Sequence, residues 1–182
     1  LPSYAQLAAT RAARDTRRWA QAEALARQGG SRFAEETVWP ILLALILTDA
    51  GRPAESLALL RTPRALAAPV AERESAEAYA RARIAAAADA AREAAVRAAR
   101  AGRTDEAVAA LRRLQAANPN DAALRGDLVA VLAAAGRHAE AGEIARAPGT
   151  PLPGYALAAA TRALRDARAF AGAEALARQG LW

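Results

Sequence analysis

The sequence predicts an all-α fold, built as a stack of antiparallel helix pairs. Three observations carry this reading. The first is a duplication. "LPSYAQLAATRAARDTRRWAQAEALARQGG" from Leu1 and "LPGYALAAATRALRDARAFAGAEALARQGL" from Leu152 align without a gap, with 21 of 30 positions identical. Repeated stretches of this length belong to repeat architectures, where each unit buries its apolar face against its neighbours. The second is a recurring phrase: "AGRPAES" at Ala50, "AGRTDEA" at Ala101 and "AGRHAEA" at Ala135, with degenerate forms "RRWAQAEA" and "RAFAGAEA" in the duplicated stretches. The third is composition. Hydrophobic residues make up 54% of the 182-residue chain but aromatics only 4%, and much of the rest is alanine. Alanine is the strongest helix former and adds little bulk, so it suits helices that pack closely.

Each element follows from the phrase. The small residue ending it is Ala22, Ser56, Ala107, Ala141 and Ala173 in turn, at spacings of 34, 51, 34 and 32. Gly51, Gly102 and Gly136 fall just past an apolar helix, where a left-handed residue ends it at low cost. In the duplicated stretches that position is Arg17 or Arg168. The small residue five places on marks a close crossing of the second helix over the first. Leu60 and Leu111 follow four residues later on the same face. In "ANPND", Pro119 stops one helix and Asp121 caps the next. Trp19 and Phe170 open second helices and are expected in the core, as is Trp39 beside Pro40. The apolar run Val38 to Leu47 is far short of the roughly 20 residues that span a membrane, so it reads as one buried helix.

A period of 34 residues with two helices resembles the tetratricopeptide repeat, closely over 88–146 and more loosely over 3–60 and 153–179. The resemblance implies a right-handed α-α superhelix. Residues 1–61 then hold two helix pairs, 62–88 a joint with an extra helix, and 89–182 about two and a half repeats, truncated at the C-terminus. The spacing of 51 is one and a half periods. Val70 to Ala101 contains no Gly or Pro, so it is either one helix about 48 Å long or two helices broken near "IAAAADA". The joint links two sub-arrays, or marks a place where the parent chain was rejoined. Asp89 is expected near a helix cap. The chain lacks an initial Met and begins in mid-pattern, the expectation for a piece of a longer protein.

Several function classes find no residues. The formal charge is +6, yet the 25 basic residues, all arginine, are scattered among 19 acids with no run beyond two. That is a solvated mixed-charge surface rather than a nucleic-acid groove. There is no cysteine, and His138 is the single histidine. Nothing therefore supplies a nucleophile, a metal site or a cofactor site. Gly29-Gly30 lacks the lysine of a phosphate loop. Glu35-Glu36 and Asp105-Glu106 are helix starts that favour the macrodipole. The chain is read as a non-enzyme.

Binding candidates come from the first helix of each pair, which lines the groove in such arrays. The duplicated stretch offers Tyr4, Arg11, Arg14 and Asp15, matched by Tyr155, Arg162, Arg165 and Asp166. At 100° per residue Tyr4, Arg11 and Asp15 fall on one stripe. An aromatic face beside arginine and carboxylate suits a sugar ring, or a peptide backbone with acidic side chains. The same residues also have a plain structural use, as an i,i+4 pair (Arg11 and Asp15) and a filler between repeats (Tyr4). Asp49 stands one period after Asp15.

A narrower resemblance rests on the order of phrases. The helix Arg125 to Arg137 has the form "R-x-D-L-V-x-V-L-x-x-A-G-R", followed by "L-P-x-Y" at Leu152 to Tyr155 and "R-x-x-R-D" at Arg162 to Asp166. This resembles the start of the periplasmic tetratricopeptide domain of the outer-membrane exporters of poly-β-1,6-N-acetylglucosamine. "VWPILLALILTDAGRPAESLALLR", Val38 to Arg61, resembles the repeat that follows there. Two features depart from that pattern: a module at Leu1 precedes the family's beginning, and no alternating barrel strands are present.

The resemblance implies a periplasmic scaffold, part of an outer-membrane protein, that recruits a polysaccharide deacetylase and guides the partly deacetylated, cationic polymer. Asp15, Asp49 and Asp166 suit that polymer, whereas the positive net charge suits an acidic partner protein. The alternative is a generic cytoplasmic adaptor that binds a peptide segment of a partner protein. A third reading is a helical domain that regulates an attached enzyme or transcription factor. The cut C-terminal end is expected to favour self-association.

Overall fold

The computed structural model describes residues 1–179, which hold eleven helices and no strand. The chain divides into two compact units, one ending at Ala87 and the other beginning at Ala88. Unit 1 contains α1 (Ser3–Asp15), α2 (Trp19–Arg32), α3 (Val38–Asp49), α4 (Pro53–Leu60), α5 (Pro63–Leu66) and the start of α6 (Val70–Arg100). Unit 2 contains the rest of α6 with α7 (Thr104–Ala117), α8 (Ala122–Ala134), α9 (His138–Arg146), α10 (Gly154–Asp166) and α11 (Phe170–Gln179). Within unit 1, α1 packs on α2, α2 on α3 and α3 on α4. Within unit 2, α7 packs on α8, α8 on α9, both α8 and α9 on α10, and α10 on α11.

The helix pairs are closed by one turn used five times. In each, one residue has positive φ: Gly51, Gly102 and Gly136 at 75 to 80°, Arg17 at 57° and Arg168 at 59°. The next amide then reaches back to a carbonyl of the preceding helix. Arg18 bonds Ala13, Arg52 bonds Leu47, Arg103 bonds Ala98, Arg137 bonds Leu132 and Ala169 bonds Leu164, at 2.8 to 2.9 Å. This satisfies a carbonyl the helix end would leave orphaned. Asp121 does the same for α8 at its other end, accepting from the amides of Ala123 and Leu124.

Five positions after the turn residue, Ala22, Ser56, Ala107 and Ala141 have no exposed surface and Ala173 is nearly buried. Large side chains then fill the spaces between crossings, among them Leu60, Leu111, Leu128, Leu132 and Leu164. In unit 1 the anchor is Trp39, 1% exposed and stacked on Phe33 with ring centroids 6.1 Å apart. Its ring lies over Gly29, where an added Cβ would fall 2.3 Å from the indole.

One open alternative is resolved and two sequence expectations change. Residues 70–100 form a single helix, about 46 Å long at 1.5 Å per residue. No residue between Arg81 and Ala94 is buried, so alanine propensity rather than a buried core face sustains this stretch. Asp89 therefore lies inside a helix and not near a cap. Phe170 is 63% exposed and Trp19 only half-buried, so neither is a core residue.

Two substitutions in unit 1 are expected to act with opposite sign. Arg17→Gly relieves a left-handed non-glycine residue and should stabilise by about 0.5–1 kcal/mol. Gly29→Ala drives a methyl into the Trp39 ring and should destabilise by about 1–3 kcal/mol. Urea unfolding midpoints of the two variants would check both.

Candidate functional site

Two side-chain clusters tie successive first helices together, one in each unit. In unit 1, Arg14 of α1 donates from Nε to Asp49 Oδ2 of α3 at 2.6 Å. Tyr79 of α6 donates its hydroxyl to Asp49 Oδ1, also at 2.6 Å. In unit 2, Arg92 of α6 donates from Nε to Asp127 Oδ2 of α8 at 2.5 Å. Tyr155 of α10 donates to Asp127 Oδ1 at 2.6 Å. The residue types, their order and the atoms used are the same. The arginine precedes the aspartate by 35 residues in both, and the tyrosine follows it by 30 or 28. The heights differ: Asp49 stands two residues before its turn glycine and Asp127 nine, a shift of seven residues or about two helical turns.

These bonds favour the neutral form of each tyrosine and the charged form of Arg92. Burial, with the hydrogen bond to Asp127, pushes the Tyr155 phenol up to about 12. The bond to Asp49, with burial, raises Tyr79. The Asp127 carboxylate raises Arg92. Arg125, 8% exposed, donates to the carbonyls of Ala147 and Thr150 and so fixes the loop that brings Tyr155 over α8.

Three open depressions run along the first helices of unit 2. The first, about 610 Å³, lies along α6 from Asp89 to Arg100 and reaches Asp127. The second, about 380 Å³, shares Val96, Arg100 and Asp127 with it and extends over Ala130 and Ala134 to Tyr155. The third, about 450 Å³, shares Ala130, Ala134 and Tyr155 and ends on His138, Arg162 and Asp166. Shared residues make the three one groove with an alanine floor. In the second and third, each carboxylate already has a donor: Asp127 has Arg92 and Tyr155, and Asp166 has Arg165 at 3.4 Å. Arg100 and Arg162 form no ion pair among the described residues. Nδ1 of His138 is buried without a hydrogen-bond partner.

The structure thus sorts the residues singled out in the sequence. Tyr155, Arg162 and Asp166 share the third depression, and Arg165 sits beside it on Asp166. In unit 1, Arg14 and Asp49 pair with each other, and Tyr4, Arg11 and Asp15 are exposed. Asp49, read as a repeat of Asp15, is instead the acceptor for Arg14 and Tyr79. Sequence reasoning missed Tyr79, Arg92 and Asp127. The equal spacing from Arg14 to Asp49 and from Arg92 to Asp127 was the signal that could have found them. Among the described residues no group of His, Asp and Glu side chains comes together as a metal site, and no helix is long and apolar enough to cross a membrane.

Compared with protein-family models, curated proteins and solved structures, the chain matches none.

Asp127→Ala leaves Arg92 and Tyr155 without their acceptor and should destabilise by about 2 kcal/mol. Asp166→Ala removes an exposed pair and should stay within about 0.5 kcal/mol. Chemical denaturation of both variants checks the contrast.

Raising the folded-state pKa of Tyr155 from 10.0 to about 12 gives a stability contribution that is complete below pH 10 and is lost as pH rises toward 12. The wild type should therefore exceed Tyr155→Phe in urea midpoint at pH 8–9, and the gap should close by about pH 12. A gap that stays constant over that range would contradict the assignment.

Proposed function

We propose that the chain is a non-catalytic, tetratricopeptide-like superhelical scaffold that binds an extended acidic segment of a partner protein along the groove of unit 2. The observation that carries this reading is the charge balance of the second and third depressions of the groove. Both keep their carboxylates occupied, while Arg100 and Arg162 face the groove unpaired among the described residues. A planar guanidinium receives a carboxylate through two parallel hydrogen bonds, so two such groups along an alanine floor favour an acidic extended ligand. The net charge of +6 adds long-range attraction for the same partner.

The family resemblance gives the setting. The chain would serve exopolysaccharide export in the bacterial periplasm, as part of an outer-membrane protein, and the partner would be the polymer's deacetylase. Aspartates committed to arginine and tyrosine offer little to a cationic polymer, so the enzyme is the primary ligand in this reading and the polymer a secondary one.

Titration calorimetry with a polysaccharide deacetylase, and separately with partly deacetylated poly-N-acetylglucosamine oligomers, tests the proposal. The enzyme should bind. Ala134→Trp, which fills the exposed groove floor, and Arg162→Glu should each weaken binding about tenfold or more, equivalent to about 1.4 kcal/mol. Binding of neither ligand would remove the export reading. Enzyme binding indifferent to both substitutions would remove the groove.

A further inference from the structure

Unit 1 has a recess of its own, about 360 Å³, walled by α2, α3, α4 and the start of α5. All of its lining comes from residues 26–64, and it shares no residue with the groove of unit 2. Gly30 makes part of the room. It is buried, and a Cβ there would already touch Nη1 of Arg64 at 3.4 Å and Cβ of Trp39 at 3.7 Å. Pro40, Leu43 and Leu59 supply an apolar wall, and both leucines are only half-buried.

The charged groups in this lining are two arginines, with no carboxylate beside them. Arg27 is held by Glu23, outside the recess. Arg64 is held by a single bond, from Nη2 to the carbonyl of Phe33 at 3.1 Å. It forms no ion pair among the described residues, and its Nε is buried without a partner. The indole Nε1 of Trp39 is buried without a partner as well. A buried N–H that meets no acceptor is costly, so an acceptor brought from outside is favoured.

We propose that this recess binds a short-chain aliphatic carboxylic acid. The carboxylate takes the open N–H groups of Arg64, and the chain lies on Pro40, Leu43 and Leu59. A guanidinium held by one bond can turn to present Nε, and it receives a carboxylate through parallel hydrogen bonds. The chain removes the two half-buried leucines from water. Each alternative leaves something unmet. An inorganic anion leaves the apolar wall wet, a neutral chain leaves Arg64 open, and a cation meets only guanidinium groups. The volume is near the lower end of the roughly 300–1,000 Å³ of ligand pockets, which selects a short chain.

The test is a titration of the full chain, labelled with nitrogen-15 and followed on the Arg64 Nε–H resonance. Loss of that resonance in Arg64→Gln or Arg64→Lys identifies it. Hexanoate should shift it saturably, with a Kd of about 1 mM or below. Acetate, which lacks the chain, and hexanamide, which lacks the charge, should each bind about tenfold more weakly or worse. Ser31→Phe puts a ring on the exposed rim of the recess and should weaken hexanoate about tenfold. Arg61→Gln, an exposed arginine outside the recess, should leave hexanoate binding unchanged. A resonance that stays in place up to about 50 mM hexanoate would overturn the proposal. So would equal binding of acetate or hexanamide, or hexanoate binding that Ser31→Phe does not weaken.

Discussion

Close approach between paired helices, at a buried alanine or serine, is the constraint from which the rest of this structure follows. Ala22, Ser56, Ala107 and Ala141 have no exposed surface, as a close crossing of paired helices requires. Such contacts bury little apolar area per side chain, and burial stabilises by only about 25 cal/mol per Å². The missing area has to come from a few large residues between the crossings. Leu60, Leu111, Leu132 and Trp39 are these residues, and each is at most 1% exposed. Gly29 and Gly142 belong to the same logic, since each yields its side-chain volume to one large neighbour, Trp39 or Leu164.

Alanine surfaces fit together in many registers, because a smooth helix lacks the ridges that would fix one. The arginine–aspartate–tyrosine clusters supply what the smooth faces lack. Each aspartate accepts from the first helix on one side and from the first helix on the other, so a slide of either neighbour breaks a short bond, partly buried on the arginine side and exposed on the tyrosine side. Directed polar groups of this kind select among packings more than they add stability. Their appearance two turns apart in the two units agrees with that role: the bond pattern is kept while its height along the helix is free.

The parts of the fold set by local chemistry were readable in the sequence, and the parts set by pairing between repeats were not. The turn position could be read at Arg17 and Arg168 as well as at the glycines, because the phrase around it repeats even where the residue changes. The small crossing residues followed from the same phrase. Phe170 went astray because an aromatic at a second-helix start looks apolar in a one-dimensional pattern, yet that position faces solvent. Asp49 reads as the equivalent of Asp15 by period alone, when its geometry makes it the acceptor for Arg14, one residue before Asp15 in α1. Asp127 was passed over inside an apolar helix, where a single acid carries no periodic signal. The continuous α6 was undecidable because alanine propagates a helix with or without packing.

The clusters also determine what the groove can attract. An aspartate that holds an arginine on one side and a tyrosine on the other has little capacity left for a ligand, since both carboxylate oxygens are engaged. Asp127 therefore stands in the groove as structure, and in the second and third depressions the arginines without an ion pair among the described residues are Arg100 and Arg162. Had the first helices been registered by apolar ridges instead, the same acid would have remained open to cations. The bonds that keep these alanine-rich helices in register are thus the same bonds that occupy Asp127.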